Sequence, residues 1–337
     1  MLILVSGASG FVGRALCAEL LQRGQRVRAA FRHCRVVSLT VDNVESCEVG
    51  LIDATTDWQT ALSGCNTVVH LAAKVHVMRD KLDDALAEFR VVNSAGTMNL
   101  ARQAAAAGVG RFIYLSTIKV NGEQTTPLSK NACSQGRTKI QGVREIFREN
   151  DPPFPDDAYA VSKCEAEDGL RSIARETGME VVIIRPPLVY GPGVKANFLA
   201  MMNWLRKGIP LPLGAIHNNR SLVALDNLVD LIVTCLDHPA AANQTFFVAD
   251  GEDLSTTELL RRLGRHMGKP ARLIPVPQQI VEAGLKIVGR GDLARRLCGS
   301  LQVDISKARN LLGWSPPVSV DEALKLTADY FLESHSR

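Results

Sequence analysis

Tyr159 and Lys163 have the residue types and the spacing of an acid–base pair. They stand four positions apart, so in a helix the phenol and the ammonium lie on one face. A nearby cation favours the phenolate and lowers the pKa of a tyrosine from about 10 towards neutrality. Such a tyrosine can donate a proton to a reacting oxygen or accept one from it. The pair therefore predicts a site that interconverts a carbonyl group and an alcohol.

Three glycines near the start of the chain are typical of a phosphate-binding turn. Residues 5–13 read VSGASGFVG and lie between a short apolar run and an amphipathic stretch. Glycine permits a tight turn and close approach of the backbone to a pyrophosphate, and the following helix offers free N–H donors at its N-terminus. The loop therefore predicts a dinucleotide site. Its predicted contacts are Gly7, Ser9, Gly10, Phe11, Val12 and Gly13.

The end of the second predicted strand decides which dinucleotide is bound. An acidic residue there hydrogen-bonds the ribose 2′-hydroxyl of NAD, whereas an arginine accommodates the 2′-phosphate of NADP. Phe31 stands at this place and Arg32 follows it. A guanidinium can hold a phosphate through two hydrogen bonds, so NADP(H) is predicted to be preferred, with NAD(H) as the alternative. Arg35 is a weaker candidate for this contact, and a merely solvated Arg32 is the competing interpretation.

The elements that would position these residues alternate between apolar runs and amphipathic stretches. This rhythm predicts strands at residues 2–5, 26–31, 67–71, 112–115 and 181–184, and a first helix over residues 11–23. The last three of these strands are continuously apolar, which indicates a parallel sheet covered on both faces. Residues 121–157 are polar and end in a proline-rich stretch, so they predict a surface loop, with a short helix over 142–149.

The alternation of apolar runs and amphipathic stretches changes after residue 185. Residues 197–207 and 227–236 predict helices, residues 245–248 a short strand, and the remainder is mainly helical. The expected fold is α/β, a Rossmann doubly wound parallel sheet with a smaller C-terminal substrate-binding lobe. The predicted division is a dinucleotide-binding domain over residues 1–185, which carries the Tyr/Lys pair, and an interleaved lobe over residues 186–337.

Bulk composition excludes several classes of protein. Thirty-nine basic and 35 acidic residues give a net charge of +4, too small to indicate a nucleic-acid partner. The eight cysteines show no metal-ligand spacing, so reduced thiols, no metal and a cytoplasmic location are expected. No secretory leader is recognisable, and no apolar run approaches the roughly 20 residues of a membrane span.

The spacing Gly-x-x-Gly-x-x-Gly, followed far downstream by Tyr-x-x-x-Lys, resembles the extended branch of the short-chain dehydrogenase/reductase superfamily, the NAD-dependent epimerase/dehydratase family. The resemblance extends to about residue 333. It implies that the carboxylate of Asp53 contacts the adenine amino group. It also implies further cofactor contacts from Tyr159 and Lys163 themselves, and from Leu71, Ala72, Ala73 and Pro186.

The same resemblance implies the substrate contacts. Thr117 would hydrogen-bond the reacting oxygen as the third catalytic residue, with Ser116 as the alternative; Ser116 and Lys119 are also expected beside the substrate. Asn197 and Arg220 match residues that hold a sugar-nucleotide diphosphate. The competing interpretations are a helix cap for Asn197 and a salt bridge to Asp226 for Arg220. Asn93, in a family helix motif, is expected to be structural.

One departure from the family narrows the expected reaction. Sugar-nucleotide dehydratases carry an Asp–Glu pair directly after the threonine, whereas this chain has Ile118 and Lys119. Dehydration is therefore disfavoured. The preferred expectation is NADPH-dependent reduction of the 4-keto group of a UDP-linked 4-keto-6-deoxy-N-acetylhexosamine in bacterial polysaccharide biosynthesis. A UDP-hexose or UDP-N-acetylhexosamine 4-epimerase is the alternative, and a catalytically silent NADP-binding regulator is the third hypothesis. A homodimer is left open.

Overall fold

A computed structural model of the protein describes residues 1–32, 44–75, 82–125 and 145–335. Its described residues form a seven-stranded parallel sheet of order β3-β2-β1-β4-β5-β6-β9. The strands are β1 Leu2–Ser6, β2 Arg26–Phe31, β3 Val44–Glu48, β4 Thr67–His70, β5 Arg111–Leu115, β6 Glu180–Arg185 and β9 Thr245–Phe247. The five strands expected from apolar runs are all present, and the expected Rossmann-like α/β architecture is confirmed.

Helices cover both faces of this sheet, as the continuously apolar strands require. They are α1 Phe11–Gln22, α2 Gln59–Leu62, α3 Leu82–Phe89, α4 Thr97–Ala106 and α5 Ala158–Thr177. A π-helical stretch, Arg90–Gly96, joins α3 to α4, and a 3₁₀ turn, Ile118–Val120, follows β5. One apolar core lies between the sheet and α1, and a second lies between the sheet and helices α2, α4 and α5.

Most of the remaining elements build the smaller lobe around a third apolar core, whereas the buried residues of α7 (Leu225–Thr234) and α11 (Ser306–Leu312) belong to the first core, beside α1. Strands β7 Leu188–Tyr190 and β8 Leu222–Ala224 form a separate parallel pair. The helices are α6 Ala196–Lys207, α7 Leu225–Thr234, α8 Thr256–His266, α9 Gln278–Ile287, α10 Gly291–Cys298, α11 Ser306–Leu312 and α12 Val320–Ser334.

Two expectations about the later chain are wrong. Strand β9 was expected within the C-terminal lobe, but it pairs with β6 as the edge of the main sheet, because its buried Phe246 and Phe247 complete the core beneath that edge. The expected helix over 142–149 is absent from its described part, residues 145–149. There the N–H of Phe147 instead donates to the carbonyl of Gln302 at 2.9 Å. Residues 142–144, like Arg35, lie outside the described residues.

Candidate active site

The glycine loop lies where the strand order reverses, between β1 and β4. Ligands of doubly wound sheets bind at the carboxyl ends of strands at this reversal. Gly7 has a φ of +72°, and a Cβ placed on it would lie 2.7 Å from the backbone nitrogen of Ala72. A Cβ on Gly13 would lie 2.2 Å from the Gly7 carbonyl oxygen. The loop after β1 and the turn after β4 therefore touch, and no larger residue fits at either position.

The N-terminus of α1 is suited to an anion. No side chain of the described residues caps it, and its first turn holds no acidic residue. Within the loop, the N–H of Gly10 donates to the Gly7 carbonyl at 2.9 Å, which leaves the amides of Phe11, Val12 and Gly13 pointing out of the first turn. Free donors, the positive end of the helix dipole and the glycine cradle fit a dinucleotide diphosphate.

Helix α5 carries the predicted acid–base pair on the face that meets β5. Asp157 begins the helix, its Oδ1 accepting from the Ala160 N–H at 2.6 Å. One turn after the half-buried Tyr159, Lys163 is fully buried. The Lys163 ammonium donates to the Leu115 carbonyl at 2.7 Å and lies 4.0 Å from the centre of the Tyr114 ring. This contact holds α5 against the end of β5, two residues before Thr117.

The predicted effect of Lys163 on Tyr159 is not found in this structure. Burial raises the pKa of Tyr159 to about 12, and the Asp157 carboxylate acts in the same direction. Burial also lowers the pKa of Lys163 to about 7, although the charge of Glu167 opposes this. The reason is desolvation, which disfavours the charged form of both groups, while the ammonium is directed at a backbone carbonyl. Tyr159 is thus a neutral phenol here, and a positive charge beside it would favour the phenolate form that accepts a proton.

The structure separates the two candidate hydroxyls that follow β5. Thr117 is half-buried and caps the 3₁₀ turn, its Oγ1 accepting weakly from the Lys119 N–H at 3.3 Å. Ser116 is buried, and its Oγ lies 2.6 Å from Glu167 Oε1. The Lys119 ammonium donates to Glu123 and Asp157, each at 2.6 Å. The Thr117 hydroxyl can therefore form a further, stronger hydrogen bond, whereas Ser116 and Lys119 already bind partners within the protein.

A buried ion pair beneath the acid–base pair was not foreseen. Glu167 stands one further turn along α5, on the face of Tyr159 and Lys163, and accepts two hydrogen bonds from Arg185, one of them from Nε at 2.8 Å. Arg185 also donates to Asn121 Oδ1 at 2.8 Å. Burial alone would raise the pKa of Glu167, but hydrogen bonds and charge from Arg185 bring it below its usual value. The four-residue spacing of Tyr159, Lys163 and Glu167 was the feature of the sequence that could have indicated this residue.

The cofactor residues implied by resemblance lie around the same strand ends. Asp53 accepts from the Thr55 N–H at 2.7 Å and from the Thr55 hydroxyl at 2.8 Å, which lowers its pKa and keeps it an anionic acceptor. The carbonyl of Pro186 accepts from the Ile118 N–H at 3.0 Å, beside Thr117. Phe31 is buried at the end of β2, and Arg32 directly after it is exposed. These cofactor roles remain predictions.

Asn93 ties the turn after β4 to α5. Its Oδ1 accepts from the Lys74 N–H at 2.8 Å, and its Nδ2 donates to the Lys74 carbonyl and to Ser162 Oγ, each at 3.0 Å. The buried His70 lies between Ser6 Oγ at 2.6 Å and Thr97 Oγ1 at 2.9 Å. Both side chains are fully engaged within the fold, which agrees with the structural role expected for Asn93.

The two residues expected at a diphosphate do not form the competing contacts. Asn197 is exposed and is the second residue of α6, whose cap position is Lys195. Arg220 makes no ion pair with Asp226; its Nη1 donates to the Gly299 carbonyl at 2.9 Å. Burial lowers the pKa of Arg220, although the charge of Glu123 opposes this. Neither a helix cap nor that salt bridge explains these residues.

A cavity of about 570 Å³ lies beyond Arg220 and shares Gly299 with it. None of the three predicted catalytic residues lines it. Among its lining residues are Gln124, His217, Asn218, Gln278, Lys286 and Arg295. Within the described ranges, no three His, Cys, Asp or Glu side chains cluster in a way that could hold a metal ion, and none of the helices found there is long and apolar enough to span a bilayer.

Comparison with known proteins agrees with this geometry. The chain is 47% identical to a UDP-glucose 4-epimerase of Vibrio cholerae, over 99% of this chain and 97% of the relative. A crystal structure of the UDP-glucuronic acid 4-epimerase of Bacillus cereus with UDP-glucuronic acid and NAD superposes with a TM-score of 0.77 at 22% identity, covering 99% of this chain and all of the other. The UDP-glucose 4-epimerase of Thermotoga maritima with UDP-glucose gives 0.73 at 23% identity, covering 99% of each chain.

Residues 3–249 match the sequence profile of the NAD dependent epimerase/dehydratase family. With the Rossmann-like fold and the glycine loop already described, this establishes that the chain is an NAD(P)-dependent enzyme and belongs to the NAD dependent epimerase/dehydratase family.

Proposed function

We propose that the protein is a UDP-sugar 4-epimerase, acting on a UDP-hexose or a UDP-N-acetylhexosamine. The observation that carries the proposal is the 2.7 Å contact from Lys163 to the Leu115 carbonyl, which holds the Tyr159 helix against the strand that leads to Thr117. From the sequence alone, net reduction of a 4-keto sugar was the preferred function. The comparisons favour the alternative, because the relative at 47% identity over nearly the whole chain is a UDP-glucose 4-epimerase.

Each residue has a defined task in this reaction. When bound, an oxidised nicotinamide would supply reversible hydride chemistry at C4 and a positive charge that favours the Tyr159 phenolate. Tyr159 would take the proton from the C4 hydroxyl and give it back to the same oxygen. Thr117 would donate a hydrogen bond to that oxygen as it changes between hydroxyl and carbonyl. Lys163 would hold Tyr159 in place from the next turn of α5.

The surroundings of Thr117 fit epimerisation better than dehydration. Ile118 directly after it is buried, and the ammonium of Lys119 is held by two carboxylates. Loss of water from the sugar needs a further acid–base pair, and the two positions after Thr117 offer none. A hydride that leaves and returns at C4 needs only the residues already assigned.

We place the diphosphate of the substrate at Arg220 and Asn197. Nη1 of Arg220 donates to the Gly299 carbonyl. The other N–H groups of its guanidinium can therefore donate two hydrogen bonds to phosphate oxygens. The cavity of about 570 Å³ on the other side of Gly299 is large enough for the remaining part of a nucleotide. The Bacillus cereus and Thermotoga maritima relatives bind UDP-glucuronic acid and UDP-glucose.

The 4-keto-reductase remains the second candidate, on one observation. No acid stands at the end of β2, where Phe31 is buried and Arg32 is exposed. A net reductase must exchange its cofactor and draw on NADPH, whereas an epimerase recycles its own. We therefore keep the preference for NADP(H) as a proposal, beside the NAD that the Bacillus cereus relative binds.

Product analysis separates these functions. Purified protein is incubated with UDP-glucose, with UDP-N-acetylglucosamine, and with the 4-keto-6-deoxy derivative of the latter, each with and without NADPH. We expect one of the first two to form its C4 epimer without added nucleotide. Tyr159→Phe should bind cofactor normally and lower turnover by roughly 10² to 10⁴. Consumption of one NADPH per 4-keto sugar, with no epimer formed, would establish the reductase instead.

A further inference from the structure

Helix α9 has two opposite apolar faces, of which the fold covers one. Val281 is buried and Leu285 partly buried against the core of the C-terminal lobe. The opposite face is an exposed stripe with the spacing i, i+3, i+4, i+7. Its residues are Ile280, Ala283, Gly284 and Ile287. An amphipathic helix of a globular protein normally turns its second face to water with polar residues, so an apolar second face calls for a partner.

The exposure at this stripe is large. Ile287 is 85% exposed, Val288 after it 67%, and Ile280 61%. Single exposed apolar side chains are ordinary on protein surfaces, but these three lie within nine consecutive residues and point away from the core. A Cβ on Gly284 would meet no atom within 4 Å. Within the described part of the chain nothing covers the outer face of α9, which can therefore meet a flat partner.

Exposed basic residues lie on α9 and in the segment that follows it. Lys286, Arg290 and Arg296 are exposed, and none of them forms an ion pair with any residue of the described ranges. The nearby Asp292 is already engaged by Arg295. Residues 278–298 contain four basic and two acidic side chains, so this short segment contributes half of the net charge of +4. We call the stripe, Val288 and the two arginines Arg290 and Arg296 the α9 surface.

We propose that the α9 surface binds an anionic lipid bilayer. A helix that lies in the membrane interface buries its apolar residues at the boundary of the acyl chains while flanking cations meet lipid phosphates. The apolar contact would come from Ile280, Ile287 and Val288. The contact to lipid phosphates would come from Arg290 and Arg296. A second copy of the chain fits less well, because a two-fold interface would set the same unpaired cations against each other.

Docking in this way has a consequence for the cavity beyond Arg220. Gln278, Glu282 and Lys286 of α9 and Arg295 of α10 line that cavity, so its α9 wall would rest near the lipid headgroups. The inference goes beyond the proposed epimerase activity and does not depend on it, because the surface contains none of the residues assigned to catalysis or to the cofactor.

Vesicle sedimentation with the full-length protein tests the proposal. Vesicles of phosphatidylcholine alone are compared with vesicles that also contain phosphatidylglycerol, at low and high salt. We expect binding only to the anionic vesicles and weaker binding at high salt. Ile287→Ser/Val288→Ser should lower the partition coefficient by about tenfold or more. Arg290→Gln/Arg296→Gln should lower it similarly and reduce its salt dependence.

The matched control is Leu311→Ser/Leu326→Ser, which removes two exposed leucines on α11 and α12 and should bind vesicles like the wild type. All three variants should keep the melting temperature, and Ile287→Ser/Val288→Ser and the control should also keep the activity on soluble substrate. The charge of Arg296 acts on Arg220, so the arginine variant is compared by its melting temperature alone. The wild-type comparison between neutral and anionic vesicles needs no variant at all. Equal binding to both vesicle types, or none to either, would overturn the proposal. So would a protein dimer that the Ile287→Ser/Val288→Ser change dissociates while vesicle binding is unaffected.

Discussion

Among single residues, Lys163 shows most clearly that this site is built for chemistry at the expense of stability. A fully buried ammonium that contacts one carbonyl and one aromatic ring is poorly solvated, and its pKa falls to about 7. The unfolded chain, by contrast, carries a lysine of pKa about 10.4. Between these two values the unfolded state binds the extra proton, so Lys163 destabilises the fold most below pH 7.

Lys163→Met in nucleotide-free protein should therefore raise the free energy of unfolding at pH 6 by a few kcal/mol. The gain should shrink as the pH rises through the window from about 7 towards 10.4, because the folded lysine is then already neutral. Denaturant unfolding of both proteins at several pH values measures this difference. A gain that does not change with pH would show that burial of the charge is not its cause.

Arg32 carries a second prediction at the scale of one side chain. If its guanidinium meets the 2′-phosphate, Arg32→Ala removes a charge-assisted hydrogen bond worth about 1.5–3 kcal/mol. Affinity for NADPH should then fall by about ten- to a hundredfold, while affinity for NADH stays nearly unchanged. Titration of wild type and variant with both nucleotides decides the matter, with the exposed Arg26 of β2 as the matched control. Equal losses for both nucleotides would remove Arg32 from the cofactor site.

At the scale of elements, helix α5 depends on one buried ion pair. The ion pair of Glu167 and Arg185 joins the helix to the end of β6. A hydrogen bond from Ser116 to Glu167 joins it to the end of β5 as well. Removing one partner leaves a buried charge without compensation, so Glu167→Gln should cost about 3–5 kcal/mol of stability. The control is Asp168→Asn, which removes a largely exposed carboxylate that pairs with Arg171. It should cost less than about 1 kcal/mol of stability.

Chemical denaturation of the two variants gives the comparison. A Glu167→Gln protein as stable as Asp168→Asn would show that the ion pair does not hold the helix. A second readout comes from Arg185→Met combined with Glu167→Gln. The double variant should lose less than the sum of the two single losses, because neither charge is then left alone.

The sequence predicted elements well where local signals and burial agreed. Strand β2 and helix α1 match within one residue, because Gly24, with a φ of +70°, separates the end of the helical period from the start of the next strand. The predicted pKa of Tyr159 was wrong because it considered only the charge of Lys163, whereas desolvation depends on the packed surroundings. The resemblance ranked Thr117 before Ser116, but the physical reason is found only in the fold, which turns the Ser116 hydroxyl towards Glu167.

The whole molecule shows why the boundary at residue 185 is only an approximate division. The chain leaves the main sheet after β6, builds β7, α6 and β8, and then returns to supply β9 as the next strand. Long-range returns of this kind leave no periodic signature, and a strand of three residues looks the same in either lobe. The catalytic side chains lie on the first part of the chain, and the expected diphosphate residues on the second. The interleaving therefore joins the two halves of the proposed site.

The central claim is that one hydride leaves C4 and returns to C4 of the same sugar. The most direct measurement uses a UDP-hexose or UDP-N-acetylhexosamine with deuterium at C4, incubated with the enzyme and an excess of unlabelled NADH and NADPH. We expect a C4 epimer that keeps its deuterium at C4, with no net change in the amount of reduced cofactor. Loss of the deuterium from the product, or the absence of an epimer together with stoichiometric oxidation of NADPH by the 4-keto sugar, would contradict this claim.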